Sequence, residues 1–176
     1  MDEKFRILTA LGAGDFRHLD GSLIDHLIST RDILKSWSGS ESLLDAGLYH
    51  AAYGTAGFSE NLVNTDHRKK IVSVIGEQAE EIVYQYCACD RDYFWPKLGN
   101  ENNPIFRNRF TGQNYTLPLD MLRNFCELTA ANEIEVAINN PKFVAEHGTF
   151  LNKLFISMEE YLSIPARIMS NNTFPH

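Results

Sequence analysis

The sequence predicts an all-α fold, a bundle of about seven helices carrying one small β-hairpin. Three observations point there. Core-type residues recur at steps of three and four along most of the chain, as Leu23, Leu27, Thr30, Leu34 and Trp37 do on a single stripe. Breaks such as Ser38-Gly39-Ser40 and the lone Gly76 fall between these periodic runs, where helices stop and start. Only Ile105 to Leu117 reads as a pair of strands.

Taken in order, Lys4 to Leu11 forms a short helix closed by Gly12-Ala13-Gly14. Asp15 to Ser22 is turn-rich, and either Asp20 or Ser22 caps the helix that follows, Gly21 to Trp37. The stripe of that helix carries His26. After Ser38-Gly39-Ser40 a second helix runs from about Ser42 to Tyr53, presenting Leu43, Ala46, Gly47 and Tyr53 together, with His50 among them. So short a connection makes the two helices antiparallel neighbours. An irregular loop, Ala56 to Thr65, leads to a helix over Asp66–Ile75; Gly76 breaks it, and Glu77 to Asp90 forms the next. Arg91 to Pro96 closes this run with an aromatic cluster.

Ile105 to Phe110 and Asn114 to Leu117 flank Thr111-Gly112-Gln113, whose glycine suits the positive φ of a three-residue turn. Two strands alone are marginal, so the hairpin must pack on helices. Leu119 to Val136 makes another helix, and one starting at Pro141 carries Phe143, Val144, Phe150, Leu151, Leu154 and Phe155. The last turn, Tyr161 to Met169, is interrupted at Pro165 and leads into a loose polar tail.

With 176 residues the chain suits one well-buried core, so residues 1–176 are expected to form a single domain. Its 44% hydrophobic and 22% charged residues place it among ordinary soluble proteins and set disorder aside. A formal net charge of -7 excludes a nucleic-acid or anionic-membrane role, because phosphate backbones demand concentrated Lys and Arg. The one basic run, His67-Arg68-Lys69-Lys70, reads as a solvated helix surface. Cys87, Cys89 and Cys126 lack the paired spacing of a zinc knuckle and are odd in number, which fits a reducing, cytoplasmic setting. The acidic start, Met1-Asp2-Glu3, argues against a signal peptide, and no run reaches membrane-spanning length.

The residues with chemistry to offer are His26, His50 and Asp90, each on an apolar face of a different helix. His18, just before the His26 helix, reaches the same end of the bundle. Imidazoles and carboxylates held on separate helices are how helical proteins bind first-row divalent metals such as Fe, Mn, Zn or Co. Each residue also has a plain reading. A histidine on an apolar stripe can be a hydrogen-bonded core residue, and Asp90 can cap a helix or pair with Arg91. Tyr53, one turn beyond His50, is either a core aromatic or a proton donor in the site.

The order His26, His50, Asp90 resembles the HD-domain superfamily of metal-dependent phosphohydrolases, in which a helical His, a second His followed by Asp, and a later Asp surround one or two metals. That resemblance implies an HD-like helical bundle, with His26, His50 and Asp90 as ligands. Ala51 stands where the paired Asp is expected, which speaks against two metals and leaves His18 to restore a ligand. More narrowly, His18 to Leu27, Leu48 to Thr55 and Arg109-Phe110-Thr111-Gly112 resemble a small family known only as a domain of unknown function, over most of the chain. The HD resemblance implies hydrolysis of a small molecule, phosphorylated molecules among them, through a metal-bound water. From their place in the sequence, Tyr53 is the candidate proton donor and Arg107, Arg109 and the His67–Lys70 run are candidate anion contacts for a phosphorylated substrate. Two alternatives share the fold: a non-haem iron oxygenase, or a small-molecule binding or interaction domain without catalysis. The aromatic stretch Tyr93 to Phe110 offers a homodimer surface or a cover for the core.

Overall fold

Ser22 accepts a hydrogen bond from the Asp25 backbone N–H at 3.2 Å and starts the helix on which His26 sits. The computed structural model that shows this describes residues 3–13, 17–18, 21–57 and 60–174. The chain is mostly helical and folds as two compact units, Met1–Cys87 and Ala88–His176. Among the described residues no helix is long and apolar enough to cross a membrane.

The first unit holds α1 (Glu3–Ala10), β1 (Arg17–His18), β2 (Gly21–Ser22), α2 (Leu23–Ser36), α3 (Glu41–Tyr49) and α4 (Arg68–Ala88), whose final residue begins the second unit. The two-residue strands are an addition to the sequence expectation, pairing antiparallel with His18 opposite Gly21. Ser40 caps α3 by accepting from the Leu43 N–H at 3.3 Å. Helices α2 and α3 meet in opposite chain directions, Leu34 against Gly47 and His26 against His50, so they are antiparallel as expected. Leu27, Leu34, Leu43, Leu48, Ile82 and Val83 are buried in this unit. Helix α1 joins α3 through Lys4, which pairs with Asp45 at 2.6 Å and gives its carbonyl to the Tyr49 hydroxyl, also at 2.6 Å.

Two boundaries follow local chemistry closely. Gly76 has φ 83 and ψ 164, a conformation open essentially to glycine alone, and it breaks α4 where the sequence places the break. Helix α3 ends at Tyr49, short of the expected Tyr53. His50, at φ -62 and ψ -15, is its C-cap, and the chain tightens into a turn in which Ala52 N–H donates to Tyr49 O at 2.8 Å and Gly54 N–H to Ala51 O at 3.0 Å.

The second unit contains α5 (Arg91–Phe94), β3 (Ile105–Arg107), β4 (Asn114–Thr116), α6 (Leu119–Ile138), α7 (Pro141–Ser157) and α8 (Ile164–Thr173). The hairpin is the one expected, in the register Ile105↔Thr116, Phe106↔Tyr115, Arg107↔Asn114. Asn108 closes its turn, its side-chain oxygen accepting from the Phe110 and Thr111 N–H groups, and Gly112 takes φ 72. The hairpin packs through Phe106, whose ring lies 5.0 Å from Phe94 and 6.2 Å from Phe125 on α6. Pro165 lies in the first turn of α8 rather than interrupting a helix: Ser163 is the cap, and Glu127 of α6 takes the Ser163 N–H. The segment expected to be loose is ordered through Phe174, which is buried and whose carbonyl accepts from Asn152 at 2.6 Å.

Candidate functional site

His26 lies one turn into α2 and His50 directly after α3, so the antiparallel helix pair brings together two residues 24 positions apart. Both are buried, at 5% and 2% exposure. Their Nε2 atoms stand 3.2 Å apart, with the rings crossing at 76°. The other nitrogen of His50 fixes its tautomer. Nδ1 is 2.7 Å from the Gly47 carbonyl, which can only accept, so Nδ1 carries the hydrogen and Nε2 presents its lone pair. In the neutral pair His26 therefore donates through Nε2–H to His50 Nε2.

The second half of α4 lines this turn. The Cys87 thiol donates to the His50 carbonyl at 3.0 Å, and the Tyr86 ring stands edge-on to the His50 ring, centroids 5.6 Å apart. Tyr53 donates its hydroxyl to Glu80 at 2.7 Å. Glu80 is buried and also receives Arg68 on both oxygens, Nε at 2.7 Å and Nη2 at 2.6 Å; Arg68 further reaches Glu81 at 2.7 Å and lies 3.7 Å over the Tyr84 ring. Burial, followed by the hydrogen bond to Glu80, pushes the Tyr53 phenol pKa far above its ordinary value. The hydroxyl proton of Tyr53 is thus given to Glu80 in a hydrogen bond. Arg68 also departs from the solvated surface expected of its run: His67, Lys69 and Lys70 are exposed, but its guanidinium is engaged by Glu80 and Glu81, which raise its pKa further.

Asp90 belongs to the second unit and is committed there. It caps α5, Oδ1 accepting from the Tyr93 N–H at 3.2 Å, while Oδ2 lies 3.8 Å from Arg107. Helix α4 ends at Ala88, two residues before the expected end, because Cys89 bridges to Asn108 of the hairpin turn and the Asp90 N–H bonds to the Arg107 carbonyl. His18 lies on β1; its side chain falls outside the described residues. Among the described residues, no group of three or more His, Cys, Asp and Glu side chains is arranged to hold a metal ion. Arg107 is stacked 3.6 Å over Tyr93, and Arg109 is exposed over Phe110.

Glu80 and the buried role of Arg68 are not among the features that sequence reasoning found. A signal is present: Glu80, Val83 and Cys87 share a stripe at steps of three and four, so a carboxylate stands on a face that is otherwise apolar.

Residues 7–91 match the model of a family described as a domain of unknown function (DUF6817). The match takes in His18, His26, His50 and Asp90 and covers just under half of the chain, so Arg109-Phe110-Thr111-Gly112 falls outside it. No curated protein matches the chain, and no solved structure does.

Proposed function

We propose that this chain is a metal-dependent hydrolase of HD-like type, acting on a small molecule with a phosphoryl or acyl group, and that His26 and His50 share its metal ion. The observation that carries this reading is the 3.2 Å separation of two buried Nε2 atoms, one with its lone pair fixed outward by Gly47. Metal–imidazole bonds of about 2.0–2.1 Å put two adjacent ligand nitrogens roughly 2.9 to 3.4 Å apart, so the separation of the pair is that of two ligands on one ion. Binding takes a change of tautomer at His26 and a turn of the rings, so that both lone pairs converge beside the line between the two nitrogens rather than along it. His18 is the proposed further donor, from the strand leading into α2. Asp90 serves α5 as a cap in this proposal.

A bound divalent ion supplies a water of lowered pKa for attack on the substrate. The chain's own residues do the rest. Gly47 holds the His50 proton at Nδ1, as a partner on the unused nitrogen of a ligating histidine does, and the buried surroundings of both imidazoles keep their lone pairs from bulk water.

The test is metal analysis by emission spectrometry on tag-free protein purified without chelators, beside His26→Ala and His50→Ala, with hydrolysis of a panel of phosphate esters and acyl esters. Stoichiometric metal lost in both variants together with hydrolysis is the expected result. Iron with oxygen-dependent turnover would replace hydrolysis by oxygenation. No metal in any sample would leave the pair as a core hydrogen bond in a binding domain.

A further inference from the structure

The turn that carries His50 is pinned from one stripe of α4. At one end of the stripe Glu80 takes the Tyr53 hydroxyl at 2.7 Å; at the other the Cys87 thiol holds the His50 carbonyl at 3.0 Å. Between His50 and Tyr53 the backbone is a tight turn, so restraining Tyr53 restrains the imidazole three residues earlier.

Glu80 is only 2% exposed, and a buried carboxylate is costly unless a charge and hydrogen bonds compensate it. That compensation crosses the break in the helix. Arg68, the first residue of α4, reaches past Gly76 to grip both Glu80 oxygens, and Tyr84 stacks on the guanidinium and holds its plane. The positive charge thus arrives from the first half of α4, and the restraint leaves from the second.

We propose that Glu80 is a positioning residue for His50: neutralised by Arg68, it ties down Tyr53 and so fixes where the His50 imidazole presents its Nε2 lone pair. It touches no reacting atom. As a role in metal capture this rests on the function proposed above; as a restraint on the ring it stands apart from that function.

Three substitutions separate this restraint from general stability. Tyr53→Phe removes only the hydroxyl. Glu80→Gln keeps an acceptor but drops the charge that holds Arg68, and Glu81→Gln weakens the other Arg68 ion pair without touching Tyr53. In the metal-free protein the two imidazole nitrogen NMR shifts of His50 report its tautomer, lying far apart while Nδ1–H is locked on Gly47. Tyr53→Phe and Glu80→Gln are expected to draw those shifts together, and Glu81→Gln to leave them as in wild type. Unmoved shifts in folded Tyr53→Phe protein overturn the proposal, and this mild substitution keeps the test standing if Glu80→Gln fails to fold. Zinc titration against a chelating competitor gives the second reading, with affinity expected to fall about 10-fold in both variants. Unchanged affinity in Tyr53→Phe removes the role in metal capture. If wild-type protein takes up no zinc, the NMR shifts alone decide the restraint, and the metal analysis described above decides the hydrolase reading.

Discussion

Gly47 sets the spacing on which the histidine pair depends. A Cβ there would come within 2.7 Å of Leu34 Cδ1 and 3.4 Å of the Arg31 Cα, so the missing side chain is what lets α2 and α3 close to contact. Leu34 is fully buried and has little freedom to swing away. Gly47→Ala is therefore expected to destabilise the protein by about 1–3 kcal/mol, seen as a lower urea midpoint at unchanged slope. An unchanged midpoint would mean that Leu34 finds another rotamer and that the close approach is incidental. At this scale His26 and His50 are legible in the sequence because an imidazole on an apolar stripe is an anomaly that periodicity exposes. Glu80 carries the same kind of signal more weakly, because a glutamate beside the ridge of Ala79, Ile82 and Val83 reads first as its solvated edge.

Helices announce themselves through caps and periodicity, but their ends depend on partners distant in sequence. Ser22 and Ser40 cap the helices expected to follow them, and Gly76 breaks α4 as its sequence position suggests. Asp90 continues the α4 ridge by local periodicity, yet the hairpin pulls Cys89 into a bridge first and turns Asp90 into the start of α5. No local periodicity contains that pairing. The consequence is measurable: Asp90→Ala is expected to cost about 1 kcal/mol, with Asp90→Asn close to wild type, since asparagine caps as well as aspartate does. The partly exposed contact with Arg107 at 3.8 Å adds little that asparagine would lose. Thermal melts check the stability order. Metal analysis of the Asn variant checks the assignment, because a cap can be replaced by asparagine while a charged ligand cannot, and undiminished metal is expected.

Across the whole chain, the cysteines connect composition to packing. Their odd number and spacing speak against a disulfide framework, and all three are buried thiols, Cys87 in the first unit and Cys89 and Cys126 in the second. Burial of both Cys87 and Cys89 is not legible in the sequence, since residues two apart cannot share one helix face; it arises because α4 ends between them and Cys89 turns inward at the hairpin. Burial is also the main cause pushing the Cys89 and Cys126 thiols well above their ordinary pKa, so both remain protonated where an exposed thiol would begin to ionise. Cys87 is held as a donor to His50. A water-soluble disulfide reagent is accordingly expected to label none of the three thiols rapidly in native protein at neutral pH, and all of them in denaturant. Raising the pH to about 9 accelerates attack by an ordinary exposed thiol, whose thiolate fraction grows there, but it should leave the native protein nearly inert because access rather than ionisation limits the reaction. A thiol that reacts quickly without denaturant, and faster still as the pH rises, would show that one of these cores opens far more readily than its packing implies.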